Sequence, residues 1–217
     1  MPAFSASAET VEVGKGIQVT RRSYAAPVNE QPFFGFAVKN SEQTAADANF
    51  VNAIIQAAGT REKAFEETIK RAWRAVNGGR MSEAGLRFNQ AFLISPEQSS
   101  VYHGFATVAQ IRFRDLPAAE ELFAVALKQP NPTKALNTDY GRLLLIVKRP
   151  RDALSVLEQA VKDAPDAGDA WTYLAVARFQ NGDKASACTA AEEAGKRRPA
   201  NNSGNDLAVL RKDAQCN

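Results

Sequence analysis

Small and large apolar positions recur along the 217-residue chain at intervals of 34 or 35 residues, and each recurrence ends at a proline. Within an interval the apolar residues lie three or four positions apart on either side of a short polar turn, which is the spacing of amphipathic helices. The pattern predicts four helix–turn–helix units between about residues 61 and 199. The marker alanines are Ala84, Ala119, Ala153 and Ala187, and the closing prolines are Pro96, Pro130, Pro165 and Pro199.

Polar residues at the turns indicate where the predicted helices begin. Asp183 follows Asn181-Gly182, and its carboxylate can accept from unpaired N–H groups of the next helix, as Asp115 can ahead of Pro117. Small residues at fixed places in each unit let the two helices approach closely. One helix pair cannot bury its apolar face alone, so we expect neighbouring units to stack.

Two further helices are predicted outside the repeats. Residues 44–58 read as an N-terminal capping helix and residues 200–217 as a C-terminal cap, which would cover the last apolar faces of the stack. We therefore expect residues 44–217 to form one helical-repeat domain. The residues predicted to cap or end these two helices are Thr44, Gly59, Ser203 and Asp206.

Residues 1–43 differ from the rest and are expected to be an extended or partly disordered arm. Residues 11–13 and 17–19 alternate like short strands, although Gly14 and Gly16 interrupt them. Two interpretations of the arm stay open: it docks on the first helices as an irregular extension, or it lies in a groove or serves as a linear motif for another protein. The aromatic cluster behind both is Phe33, Phe34 and Phe36.

The fourth unit resembles the tetratricopeptide repeat, although Arg178 stands where that family usually has tyrosine. The resemblance implies an all-α, right-handed α-solenoid of about four helix–turn–helix repeats, with capping helices at both ends. The residues that carry it are Trp171, Leu174, Ala175, Gly182, Ala187, Ala191, Ala194 and Pro199.

In tetratricopeptide proteins the first helix of each pair lines a concave surface that receives a peptide or a helix. The resemblance therefore implies a non-enzymatic protein–protein interaction module, acting as an adaptor or assembly factor. Two alternatives stay open: a dedicated subunit or regulator of one enzyme or secretion complex, and a ligand-binding or catalytic protein that uses His103. The groove positions carried over are Ile69, Trp73, Asn77, His103, Thr107, Gln110, Thr138, Arg142, Thr172, Val176 and Phe179.

The amino-acid composition excludes several kinds of metal site and catalytic centre. The only histidine is His103 and the only cysteines are Cys188 and Cys216, so zinc fingers, iron–sulfur clusters and histidine-rich catalytic centres are excluded. No phosphate loop or nucleophile elbow occurs, and we expect neither enzyme activity nor a cofactor. The net charge of +3 is too small to indicate nucleic acid as the partner. No apolar run reaches the ~20 residues of a membrane span.

The cellular compartment of the protein bears on whether its two cysteines form a disulfide. Residues 61–64, 71–73 and 87–92 look similar to repeat proteins and lipoproteins of bacterial envelopes, and Ala6-Ser7-Ala8 is the pattern before a signal-peptidase cut. We expect an exported or periplasmic protein whose signal peptide is truncated, with a cytoplasmic protein as the alternative. Cys188 and Cys216 then either form a disulfide, which needs an oxidising compartment, or remain a buried and a free thiol.

Overall fold

The computed structural model describes residues 9–197 and 201–216, with no side chain described for residues 201 and 202. Ala6-Ser7-Ala8 and Pro199 lie outside the described residues. An antiparallel β-hairpin precedes the helices. Its strands are β1 (Thr10–Gly14) and β2 (Ile17–Thr20), and the helices are α1 (Ser41–Ala58), α2 (Arg61–Asn77), α3 (Met81–Ile94), α4 (Ser99–Val108), α5 (Leu116–Lys128), α6 (Leu136–Ile146), α7 (Pro150–Asp163), α8 (Gly168–Gln180), α9 (Lys184–Lys196) and α10 (Asn201–Ala214).

The chain forms two compact units that divide between Pro132 and Thr133. Unit 1 contains the hairpin and helices α1 to α5, and unit 2 contains helices α6 to α10. The division lies inside the predicted domain 44–217. Residues 9–40 belong to unit 1 because they pack against α3 and α5.

In unit 1 the predicted pairs are α2 with α3 and α4 with α5. Thr60 caps α2 by accepting from the Lys63 N–H, and Asp115 caps α5 by accepting from the Ala118 N–H. A Cβ atom at Gly104 would meet the ring of Phe88, so only glycine lets α4 lie this close to α3. A π-helical turn, Ala109–Phe113, leads out of α4.

The segment from residue 9 to residue 40 is held on unit 1 by specific contacts, and we call it the strap. Gly14 and Gly16 were predicted to interrupt its strands, but they do not: β1 ends at Gly14, and Gly16 takes a positive φ in the hairpin turn. Two 3-10 turns, Val28–Glu30 and Pro32–Phe36, follow and lie against α3. Phe33 is buried among Phe92, Tyr102 and Phe105.

Unit 2 repeats the same arrangement with α6 paired to α7 and α8 paired to α9. A Cβ atom at Gly141 would meet Leu157, which is fully buried, so α6 and α7 are in close contact at this point. Asp183 caps α9 as predicted, by accepting from the Ser186 N–H at 3.0 Å. Small alanines of α9 are completely buried against α8.

Two predicted caps are wrong. Asn40, and not Thr44, begins α1, through a capping box in which Asn40 and Gln43 satisfy each other's backbone N–H groups. Ser203 does not cap the last helix, because α10 already begins at Asn201. Its hydroxyl donates instead to the carboxylate of Asp169 on α8.

Candidate functional site

A groove of about 500 Å³ lies in unit 2 between α6, α8 and α10. All three helices contribute side chains, and α8 forms the middle of the groove since it contacts both of the others. The lining residues are Arg142, Leu145 and Ile146 of α6, Tyr173, Val176, Phe179 and Gln180 of α8, and Asp206, Val209, Leu210 and Asp213 of α10.

The rim of the groove carries apolar side chains in contact with solvent. Ile146 is 46% exposed and Val209 is 60% exposed, although both are large aliphatic residues. Val176 and Phe179 are half-buried between them and the core of unit 2. Burying such groups under a partner removes apolar surface from water, which favours association by roughly 25 cal/mol per Å².

Tyr173 forms part of the groove floor next to a cation. Its residue is 8% exposed, and the guanidinium of Arg142 lies 5.9 Å from its ring centroid. Burial raises the pKa of Tyr173 to about 12, and the nearby carboxylate of Asp206 adds to that rise, while Arg142 acts to lower it. The phenol is therefore neutral at physiological pH, and its ring supports Arg142 by a cation–π contact.

Charges of both signs face the groove. Arg142 supplies a planar cation from α6, whereas Asp206 and Asp213 supply carboxylates from α10. An arginine fork can hold a carboxylate through two parallel hydrogen bonds. The groove can therefore select a ligand by its apolar shape and also by the order of its charges.

The α10 wall is fixed to α9 and α8 by three side-chain ties. A disulfide joins Cys188 of α9 to Cys216, just beyond α10, with the two Cα atoms 5.4 Å apart. Arg211 donates to the carbonyl of Ala191 at 2.9 Å. The third tie is the hydrogen bond from Ser203 to Asp169. Of the two interpretations of the cysteines, the structure has the disulfide.

Three of the predicted groove residues in unit 2 line this groove together: Arg142, Val176 and Phe179. The other two do not reach it. Thr138 and Thr172 are buried, and the hydroxyl of Thr172 donates to the carbonyl of Gly168 one turn earlier in its own helix. Neither side chain can touch a partner in this structure, so we remove both from the candidate site.

Two of the six predicted positions in unit 1, His103 and Thr107, are buried in the core. His103 is 1% exposed and lies between the rings of Trp73 and Phe123, at centroid distances of 4.6 and 5.7 Å. Thr107 is also buried and donates to the carbonyl of His103. His103 and Thr107 are therefore not surface residues. Ile69, Trp73 and Gln110 are half-buried, and Asn77 is exposed.

Sequence reasoning missed the α10 wall, although the repeat itself carried the signal. Arg142, Val176 and Leu210 are spaced 34 residues apart, as are Leu145, Phe179 and Asp213. All six line the groove. The last helix thus supplies the positions of a fifth first helix, which extending the 34-residue period beyond residue 199 would have found.

Within residues 9–197 and 201–216 no group of three or more His, Cys, Asp or Glu side chains is placed to hold a metal ion. In the same residues no helix combines the length and the apolar character needed to cross a bilayer.

No family model matches the chain, and no curated protein matches it in sequence. Solved structures match its fold. PilF of Pseudomonas aeruginosa is 20% identical with a TM-score of 0.61, covering 71% of this chain and 71% of PilF. TTC0263, a tetratricopeptide protein of Thermus thermophilus, is 17% identical with a TM-score of 0.53, covering 78% of this chain and 98% of its own.

A third match is YrrB, described as a tetratricopeptide protein with an unusual peptide-binding site. It is 18% identical with a TM-score of 0.52, over 71% of this chain and 84% of YrrB. At these identities the likeness shows the fold alone. The chain has an all-α helical-repeat fold of the tetratricopeptide type, with a β-hairpin in its strap.

Proposed function

We propose that this protein is a non-enzymatic protein–protein interaction module that binds a segment of a partner in the groove of unit 2. The groove itself carries the proposal, because it combines exposed aliphatic side chains with charges of both signs on facing helices. The fold supports the same class of function, since YrrB, which shares it, is described as having a peptide-binding site. Burial of the lone histidine under aromatic rings supports a non-enzymatic role.

The lining residues define the chemistry of the bound segment. An apolar side chain of the partner would pack against Val176 and Leu210. A carboxylate of the partner would pair with Arg142, whose guanidinium lies over the Tyr173 ring. A lysine or arginine of the partner would face Asp206 or Asp213. The segment is therefore a short amphipathic stretch that carries both an acidic and a basic group.

The proposed setting is the bacterial envelope, where the protein would act as an adaptor or assembly factor. Support comes from the Cys188–Cys216 disulfide, because such bonds persist in oxidising compartments and are rare in the cytosol. Alkylation of intact cells followed by non-reducing mass analysis tests this setting. Two alkylated cysteines would contradict it.

Photo-crosslinking from inside the groove tests the binding proposal. A photoreactive phenylalanine analogue replaces Val209, which is 60% exposed in the groove, and crosslinked partners are identified from native cells by mass spectrometry. The matched control replaces Glu158, an exposed residue of α7 that does not line the groove. We expect one partner segment at Val209 that is absent at Glu158.

A second change makes the result specific to the groove. Val176→Asp places a charge on the apolar wall, and we expect it to abolish the crosslink at position 209 while the chain stays folded. Equal crosslinking from positions 209 and 158, or a yield unaffected by Val176→Asp, would contradict the proposed site.

A further inference from the structure

The last helix depends on tertiary contacts, because its sequence gives it little helical stability of its own. Its first half is rich in asparagine and contains Gly204, and both residue types have low helix propensity. Helices of this length are marginal in water without tertiary support. Among the described side chains of α10, the best buried apolar groups remain 4 to 6% exposed, whereas four alanines of α9 are fully buried. Those groups of α10 are Leu207, Leu210 and Ala214.

The disulfide adds a covalent tie to these contacts. It joins Cys216 to Cys188 across a sequence separation of 28 residues, so it closes the segment that includes all of α10. A cross-link of this kind removes most of the freedom that the segment would gain by detaching. The non-covalent ties are the packing of Leu207 and Leu210 into the core of unit 2 and single polar contacts from Arg211 and Ser203.

Both cysteines are only half-buried, so a small dithiol can reach the bond. We propose that the groove of unit 2 is redox-gated: α10 stays in place as its third wall only while the Cys188–Cys216 disulfide is intact. This inference rests on the proposed function, since four of the groove's lining residues belong to α10.

The gating step balances as a thiol–disulfide exchange. One sulfur of a dithiol attacks the protein disulfide and forms a mixed disulfide with one cysteine, releasing the other. The second sulfur of the dithiol then attacks the mixed disulfide and displaces the remaining protein cysteine. The dithiol is oxidised to its own disulfide and passes two electrons and two hydrogens to Cys188 and Cys216, which become thiols. The S–S bond between α9 and the end of α10 is lost, and the helix is free to leave α8.

Hydrogen exchange of the full chain, before and after reduction by dithiothreitol, tests the gate without any ligand. We expect the amides of residues 203–214 to exchange roughly tenfold faster or more after reduction, while those of α6, α7 and unit 1 stay unchanged. Removal of the dithiol in air should restore protection. The double variant Cys188→Ser/Cys216→Ser should exchange fast in α10 with and without dithiothreitol.

The outcomes separate this inference from the proposed function. If α10 stays equally protected after complete reduction, confirmed by two alkylated thiols in the mass spectrum, the gate is wrong even when Val209 still crosslinks a partner. Faster exchange throughout unit 1 and α6 would also overturn it, because the disulfide would then support the whole chain. If reduction releases α10 but Val176→Asp does not change the crosslinking yield at position 209, the gate is supported and the proposed binding site is wrong.

Discussion

Asn89, which is 1% exposed on α3, donates its side-chain amide to the backbone carbonyl of Gln31 in the strap at 2.7 Å. The same amide donates to the carbonyl of Asn29, and its oxygen accepts from the backbone N–H of Phe34. One buried side chain thus satisfies three backbone groups that lie about 55 to 60 residues earlier in the chain. The strap is held in place at this point by polar contacts as well as by its aromatic rings.

Replacing Asn89 by leucine should destabilise unit 1 strongly. The size of the side chain is nearly kept, but three strap groups lose their partner, and each unsatisfied buried group costs about 1–3 kcal/mol. We expect a loss of about 3 kcal/mol in the free energy of unfolding, measured by urea titration. Gln90→Leu, at the neighbouring half-buried position, serves as control and should cost less than about 1 kcal/mol. Equal costs at both positions would show that Asn89 does not hold the strap.

Gly141 and Leu157 should show energetic coupling. A methyl group at Gly141 would overlap Leu157, so Gly141→Ala is expected to cost about 1–3 kcal/mol of stability in unit 2. Leu157→Ala leaves a cavity and should cost about 2–5 kcal/mol. In the double variant the alanine methyl enters that cavity. Its loss of stability should therefore be smaller than the sum of the two single losses by at least ~1 kcal/mol. Strict additivity in denaturation experiments would contradict the close contact of α6 and α7.

Tyr173 should make stability depend on pH at the alkaline end. Its pKa is about 12 in the folded protein, mainly through burial, against an ordinary value of 10.0. Because the folded state holds the proton more tightly, the contribution is present below pH 10 and is lost as the pH rises towards 12. The expected loss is up to about 3 kcal/mol, seen as a falling midpoint of chemical unfolding.

Tyr173→Phe is the matched test for that loss. The variant keeps the ring but has no proton to lose, so its stability should fall less between pH 10 and pH 12 than that of the native chain. Tyr24 and Tyr102 also have raised pKa values through burial and will retain part of the slope. An unchanged slope in the variant would assign the whole effect to those two tyrosines.

Arg142 should contribute affinity once the partner segment is known. Arg142→Ala removes the cation above Tyr173, and we expect the affinity to fall by roughly 5- to 30-fold, with a weaker dependence on salt. Arg151→Ala, at an exposed arginine of α7 outside the groove, controls for the change in net charge. Titration calorimetry in low and high salt measures both. A loss of similar size at Arg151 would indicate general charge attraction and not the groove.

The repeat could be predicted from the sequence because the spacing of small residues and prolines directly reflects how the helices pack and where they end. Alanines and prolines at a constant period report close helix contacts and helix ends, and those contacts are local in the chain, as between α8 and α9. The predicted caps Asp115 and Asp183 are confirmed for the same reason, since a capping bond spans only three residues.

The contacts that escaped prediction are long-range or depend on packing. The bond from Asn89 to the strap joins residues 58 apart, and no local pattern encodes it. His103 and Thr172 stand on first helices at positions that the resemblance to tetratricopeptide repeats placed in a groove, yet both are buried. A repeat pattern predicts on which face of its helix a residue lies. Whether solvent reaches that residue depends on the size and packing of the side chains around it.

The hairpin has a consequence for how the protein is made. Thr20 donates its backbone N–H and its hydroxyl to Glu121, a residue 101 positions later. The ribosome delivers the hairpin before α5, and this partner emerges only after ~5–20 s of further synthesis. During that time residues 9–40 of the nascent chain have no α5 to lie against. The strap therefore cannot reach its final position until α5 has been made, although it is synthesised about a hundred residues earlier.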